Sequence, residues 1–357
     1  MNRSRTREDG LLYAIEQVPV LQNRLFDTAA EARSCLRGDV QLKVDPATGI
    51  VTNVSFDPGR VCYDRHYNNE QSLSPAFGRH LDAVALLIRR HLGDRRLFEI
   101  GCGKGTFLER LAECGCEVGG CDPTYEGDNP AVTRAFFSDD AGIRGRQLIL
   151  RHVLEHVVDP VAFLRMLADA NGGGSIYIEV PCLDWIIDRR AWFDVFYEHV
   201  NYFRVDDFRR IFGRLQTCRL FGGQYLAIIA DLATLRDPAA IRAQAEREVP
   251  PTFPETFGPP ATTAAEPTDV VWGAASKGVM YALMRERLGC PVAAAVDVNP
   301  AKQLRYLPAT GVPILSPAML VDRLPRGGRV IVVNSNYLPE ISTANGDRYR
   351  YEVIDRA

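Results

Sequence analysis

Glu99-Ile-Gly-Cys-Gly-Lys-Gly-Thr-Phe107 sets an acidic residue and three alternating glycines between an apolar strand and a helix. The helix reads Thr106-Phe-Leu-Glu-Arg-Leu-Ala112, with its apolar residues at helical spacing. Glycine lacks a Cβ, so a bound molecule can approach the backbone of such a turn closely. A second strand, Cys116-Glu-Val-Gly-Gly-Cys-Asp122, ends in a carboxylate. It lies about 20 residues beyond Gly101, the separation at which an acid meets a ribose in nucleotide-binding βαβ units. An adenosine-type cofactor is implied, with Glu99, Gly101, Gly103, Gly105, Asp122 and Pro123 as candidate contacts. The dinucleotide fingerprint would need glycine at 106, where this chain has Thr106, so a pyrophosphate on the helix N-terminus is the weaker reading.

The order Glu99, Gly-x-Gly-x-Gly, Asp122 resembles the class I methyltransferases that use S-adenosylmethionine (SAM). That resemblance implies a glycine turn beneath the methionine part, Glu99 anchoring the amino end directly or through water, and Asp122 on the ribose hydroxyls. The surrounding pattern agrees. Strands are expected at 96–100, 117–122, 135–137, 147–151, 175–180, 218–221 and 225–230, the last two forming a hairpin about Gly222-Gly223. This alternation with helices is that of a doubly wound α/β sheet.

The length of 357 residues allows more than one core, and six prolines between Val249 and Thr268 mark a linker. After it, Asp269-Val-Val-Trp-Gly-Ala-Ala-Ser-Lys-Gly278 repeats the strand and glycine turn, and 292–297 supplies another strand ending in an acid. The expected organisation is an irregular N-terminal segment (1–76), a SAM-binding methyltransferase domain (77–248), a Pro-rich linker (249–268) and a smaller Rossmann-like α/β domain (269–357). A helix is expected over 77–92. The net charge of −3 offers no general attraction to nucleic acid or anionic lipid. No apolar run reaches the ~18 residues a membrane span needs, and no apolar leader follows the basic first residues. Nine cysteines without a regular framework fit reduced thiols. A cytoplasmic protein is expected, and the oligomeric state is left open.

Two further runs carry chemistry. Leu150-Arg-His-Val-Leu-Glu-His156 follows the fourth strand, where such folds place the cofactor's adenine edge and the reaction pocket. His-x-x-Glu-His is also a zinc spelling, but it stands at a strand end with no recognisable acidic ligand helix downstream. His152 is therefore read as a cofactor-pocket residue and no metal is expected. Asp139 is a second candidate, for the adenine amino group. Beyond the fifth strand, Trp192-Phe-Asp-Val-Phe-Tyr-Glu-His-Val-Asn-Tyr-Phe203 sets Glu198-His199 among aromatics in a loop. Adjacent residues converge on one site only on irregular backbone.

Glu-His-Val-Asn-Tyr-Phe, with Val180-Pro181 and the glycine turn upstream, resembles the sugar C-methyltransferases, which methylate nucleotide-linked keto-deoxysugars. The C-terminal third, with Gly273-Ala-Ala-Ser-Lys-Gly278, Asp297-Val-Asn-Pro-Ala-Lys-Gln303 and Asn334-Ser-Asn-Tyr337, is similar to that family's second Rossmann-like unit. Relatives begin with a zinc module of paired Cys-x-x-Cys motifs. Here those pairs are missing, and Cys35 and Cys62 cannot make a four-ligand site. The resemblance implies His199 as general base, Glu198 as its orienting or charge-stabilising partner, Tyr197 or Tyr202 on the substrate, and Tyr67, Gln71 and Ser74 over cofactor or substrate. The partner implied is a small molecule, a nucleotide sugar under this resemblance. The alternatives are O- or N-methylation of another metabolite, as in natural-product tailoring, a non-catalytic SAM-binding protein, and, last, NAD-dependent oxidoreduction.

Overall fold

The structure, a computed structural model, describes residues 10–64, 66–138, 142–259 and 266–355. Leu11–Pro19 (β1), Arg37–Val44 (β2) and Val51–Asn53 (β3) pair antiparallel in succession. The segment expected to be irregular is therefore a sheet. Its first strand hides from a period-two reading because the register against β2 slips twice, between Leu11 and Tyr13 and between Ile15 and Val18.

Leu97–Ile100 (β4), Val118–Cys121 (β5), Val132–Thr133 (β6), Gln147–Arg151 (β7) and Ser175–Pro181 (β8) are mutually parallel. The interiors of β4, β7 and β8 are buried, which accounts for their continuous apolar character. Asn201–Tyr202 (β9) joins the first sheet beside β3, so the loop carrying Glu198-His199 is stitched to the N-terminal sheet. Leu215–Leu220 (β10) and Tyr225–Asp231 (β11) form the expected hairpin, and β11 runs antiparallel to β8. The order is β10-β11-β8-β7-β4-β5-β6. The strand expected at 135–137 is instead the two-residue β6 at 132–133, and Asp139 lies outside the described residues.

Val270–Trp272 (β12), Ala294–Val296 (β13), Ile314–Leu315 (β14), Arg329–Val332 (β15) and Arg350–Val353 (β16) form a third, all-parallel sheet, ordered β14-β13-β12-β15-β16. Both larger sheets reverse direction of growth beside their first strand, at β4/β7 and at β12/β15, which is where doubly wound sheets open a crevice at the strands' carboxyl ends. The helix Pro75–Leu92 is capped by Ser74, which accepts from the Phe77 N–H, and buries Phe77, Leu81, Val84 and Ile88 against the seven-stranded sheet. The stretch 249–259 has no regular element, yet Phe253 and Phe257 are buried with ring centroids 5.7 and 5.0 Å from that of Tyr13. The linker is thus packed onto β1.

Candidate active site

One cavity of about 1000 Å³ lies between the carboxyl ends of the two parallel sheets. Its walls include Glu99, Gly101, Gly103, Asp122, Pro123 and His152 from one unit, and Trp272, Gly273, Lys277, Asp297, Asn299 and Asn334 from the other. Tyr67, Gln71 and Ser74 of the N-terminal segment, together with Glu198 and His199, complete it.

The cofactor end follows from the glycine turn. Gly101, Gly103 and Gly105 all have positive φ, which only glycine adopts freely. A Cβ on Gly101 would meet Val153 Cγ2 at 2.4 Å, whereas one on Gly103 would meet nothing within 4 Å. Gly103 therefore presents bare backbone to the cavity. Gly105 does not line it: this residue caps the helix Thr106–Glu113, and its Cβ would press on Tyr125 at 3.0 Å, so its role is in the turn. Asp122 Oδ2 accepts the Gly103 N–H at 2.8 Å, and Oδ1 accepts the Thr124 N–H at 2.7 Å. The acid expected on a ribose thus also braces the turn, with lone pairs left for a ligand. The second unit repeats the device: Asp297 accepts the Ala274 N–H at 2.9 Å and the Asn299 N–H at 2.9 Å.

Glu99 is buried, and its Oε2 has no partner. Burial pushes its pKa up to about 7, opposed by Arg151 and reinforced by Glu179 and Asp122. An orphaned carboxylate beside an open glycine turn fits a cofactor bearing an ammonium group. Thr106 donates its hydroxyl to Glu70 Oε2 at 2.9 Å, which places a carboxylate at the N-terminus of the helix where a dinucleotide would lay its pyrophosphate. Both observations suit SAM and disfavour a nicotinamide dinucleotide.

Behind the cavity lies a buried polar network that sequence reasoning missed. Glu179 on β8 is fully buried and meets His80 Nε2 at 2.7 Å, Arg151 Nε at 3.1 Å and the Tyr177 hydroxyl at 2.9 Å. Burial would raise its pKa, but Arg151 and the two histidines outweigh that and hold it well below the usual carboxylate range. His152 has positive φ and bridges Glu155 and Glu179, each at 3.3 Å. Burial disfavours its charged ring, but its contacts with the Glu155 and Glu179 carboxylates win and raise it to about 9. His152 lines the cavity as a cation held by acids behind it.

The Glu198-His199 loop departs from expectation in three places. Glu198 does not touch His199: its oxygens accept the Gln22 N–H and the Tyr67 hydroxyl, both at 2.8 Å, so it anchors the N-terminal segment to the loop. Tyr197 uses its hydroxyl to accept the Asp57 N–H at 2.9 Å and packs on Phe56. Tyr202 turns its hydroxyl onto the Phe196 backbone, at 3.0 and 3.2 Å. Both tyrosines are fully enclosed and neither lines the cavity, which corrects their assignment to the substrate. Tyr67 does face it, its ring edge-on to Tyr63 at 4.8 Å. Gln71 and Ser74 spend hydrogen bonds on the C-terminal unit: Tyr337 donates to Gln71 at 3.1 Å, and Ser74 donates to the Glu340 carboxylate at 2.8 Å.

His199 lines the cavity, with its ring 4.0 Å from Phe196 and 5.0 Å from His156 between centroids. Its Nδ1 is buried without a partner. Burial first, then the nearby His156, His152 and Lys277, keep its pKa well below the usual histidine range, so the ring is neutral with a free lone pair at physiological pH. Among the described residues, Glu155, His156 and His199 are the one group of three metal-ligating side chains whose ligand atoms come together. His156 meets His199 of the later loop, while His152 turns to Glu155 and Glu179.

Residues 73–216 match a family model described as a methyltransferase domain. The ubiquinone biosynthesis O-methyltransferase of Ruegeria pomeroyi is 33% identical over 98 residues, 23% of this chain, so the match spans 39% of that relative's length. Similar solved structures include a SAM-dependent methyltransferase from Archaeoglobus fulgidus (21% identity, TM-score 0.32, covering 42% of this chain and 94% of that one). Another is the magnesium protoporphyrin IX methyltransferase of Synechocystis PCC 6803 with bound SAM (16%, 0.31, covering 45% and 80%).

Proposed function

We propose that this protein methylates a small molecule, and specifically that it C-methylates a nucleotide-linked keto-deoxysugar with His199 as general base. The observation that carries the reading is a neutral buried imidazole on the wall of the same cavity that holds the Glu99 and Gly103 cofactor end. SAM supplies an electrophilic methyl group. Glu99 and the Gly103 backbone would hold its amino-acid portion, and Asp122 its ribose. His199 removes the proton beside the substrate carbonyl, leaving that carbon nucleophilic; a base unprotonated at neutral pH suits this step. The space beyond the cofactor end is walled by the second unit, where Lys277 and Lys302, paired with Asp194 at 2.8 Å and Asp297 at 3.8 Å, give the substrate a polar wall. Free thiols at all nine cysteines fit a cytoplasmic setting.

The test is mass spectrometry of products formed from labelled SAM and candidate nucleotide sugars, with isotope washout from the carbon beside the carbonyl. His199→Asn should lower turnover by roughly 10²–10⁴-fold, the scale of a general base, while SAM affinity stays within about twofold. Near-normal turnover in that variant removes the base. The relative named as an O-methyltransferase favours a second reading, in which His199 takes a hydroxyl proton. A methyl ether product without carbon-proton washout selects it.

A further inference from the structure

We propose that Glu155, His156 and His199 form a binding site for one divalent transition-metal ion on the cavity wall. One oxygen of Glu155 and one ring nitrogen from each histidine lie within 4.8 Å of one another, and all three residues line the cavity. His156 Nδ1 is 2.9 Å from the Glu198 carbonyl oxygen. A carbonyl only accepts, so Nδ1 carries the proton and Nε2 keeps the lone pair a metal needs, with the backbone contact fixing ring orientation. Glu155 Oε2 and His199 Nδ1 are both buried without a hydrogen-bond partner. Buried unsatisfied polar atoms on two residues of one cluster are costly unless a further atom satisfies them.

The backbone holds these residues together. Val200 donates its N–H to the Glu155 carbonyl at 2.8 Å, and Asn201 donates its side-chain amide to the Val157 carbonyl at 2.6 Å. Ligands bound at about 2.1 Å in tetrahedral geometry stand about 3.4 Å apart, so closure from 4.8 Å needs only side-chain rotation. Two imidazoles and a carboxylate select zinc, cobalt or ferrous iron over magnesium or calcium, and three protein ligands leave a position open to the cavity. His152 contacts Glu155 Oε1 at 3.3 Å and leaves Oε2 for the metal, and Lys277 is paired with Asp194 at 2.8 Å.

This inference concerns binding and goes beyond the methylation reading. The two make opposed demands on His199: a ring nitrogen bonded to a metal cannot take a proton. Zinc would therefore inhibit methyl transfer by the proposed base.

The test uses the full-length protein stripped with EDTA and titrated with Co²⁺, read by visible d–d absorption. One equivalent should bind, and Glu155→Gln and His199→Asn should each weaken binding at least 100-fold while SAM binding and circular dichroism stay unchanged. A zinc-soaked wild-type crystal should show one anomalous peak between the three side chains. Absence of that peak, a water in its place, affinity unchanged in both variants, or cobalt absorption of the thiolate charge-transfer type overturns the site. These are equilibrium readouts, so failure of the methylation reading leaves them unaffected.

Discussion

Gly103→Ala separates what the glycine turn needs for folding from what it needs for cofactor. Gly103 sits at φ +55, a left-handed conformation that costs an alanine about 1 kcal/mol. Its N–H, donated to Asp122, survives the substitution. Its new Cβ would touch no protein atom within 4 Å, so no packing penalty is added. The melting temperature should therefore fall by only a few degrees. The methyl group would instead occupy the face open to the cavity, and SAM affinity should drop at least ~10-fold, about 1.4 kcal/mol. Gly101→Ala is the control, because it carries similar strain (φ +72) and also drives a Cβ into Val153. It should cost a further ~1–3 kcal/mol of stability from overpacking. Calorimetric titration with SAM and thermal unfolding of both variants give the two numbers. Wild-type SAM affinity in Gly103→Ala would refute the assignment of this face to the cofactor.

Because the Glu99 carboxyl titrates at about 7, SAM binding should tighten as pH rises through neutrality, and Glu99→Gln should weaken binding and flatten that dependence; a pH-independent wild type would detach Glu99 from the cofactor's amino end. His152 is raised to about 9, so its stabilising charge is fully present below about 6.5 and lost as pH rises through about 9. Thermal midpoints should fall over that range in the wild type and less in His152→Asn; equal slopes would sink the claim. Glu179→Ala leaves Arg151 and His80 without their buried acid and should destabilise by about 3–5 kcal/mol in denaturant unfolding; a loss below ~1 kcal/mol would show the network to be replaceable.

Local pattern carried the cofactor end. The glycines, the acid before them and Asp122 are close in sequence, and each acts through backbone conformation that residue type sets directly, so the parallel strands and the second glycine turn could be read from spacing alone. Side chains whose partners lie far along the chain could not. Glu198 looked like a partner for His199 because they are neighbours, yet it binds Gln22, 176 residues away. Glu179 sits in the apolar strand Ser175–Pro181, and nothing nearby shows that His80, Arg151, His152 and Tyr177 converge on it.

By itself the sequence determined a doubly wound sheet with a glycine-lined ligand crevice, because strand and helix periodicity and glycine's conformational freedom are local properties. Only the tertiary structure decided that the two parallel sheets face one cavity, that Tyr197 and Tyr202 turn to backbone, and that His199 comes beside Glu155 and His156. Those outcomes depend on how three sheets pack and which buried polar groups must find partners, and no short window of residues contains that information.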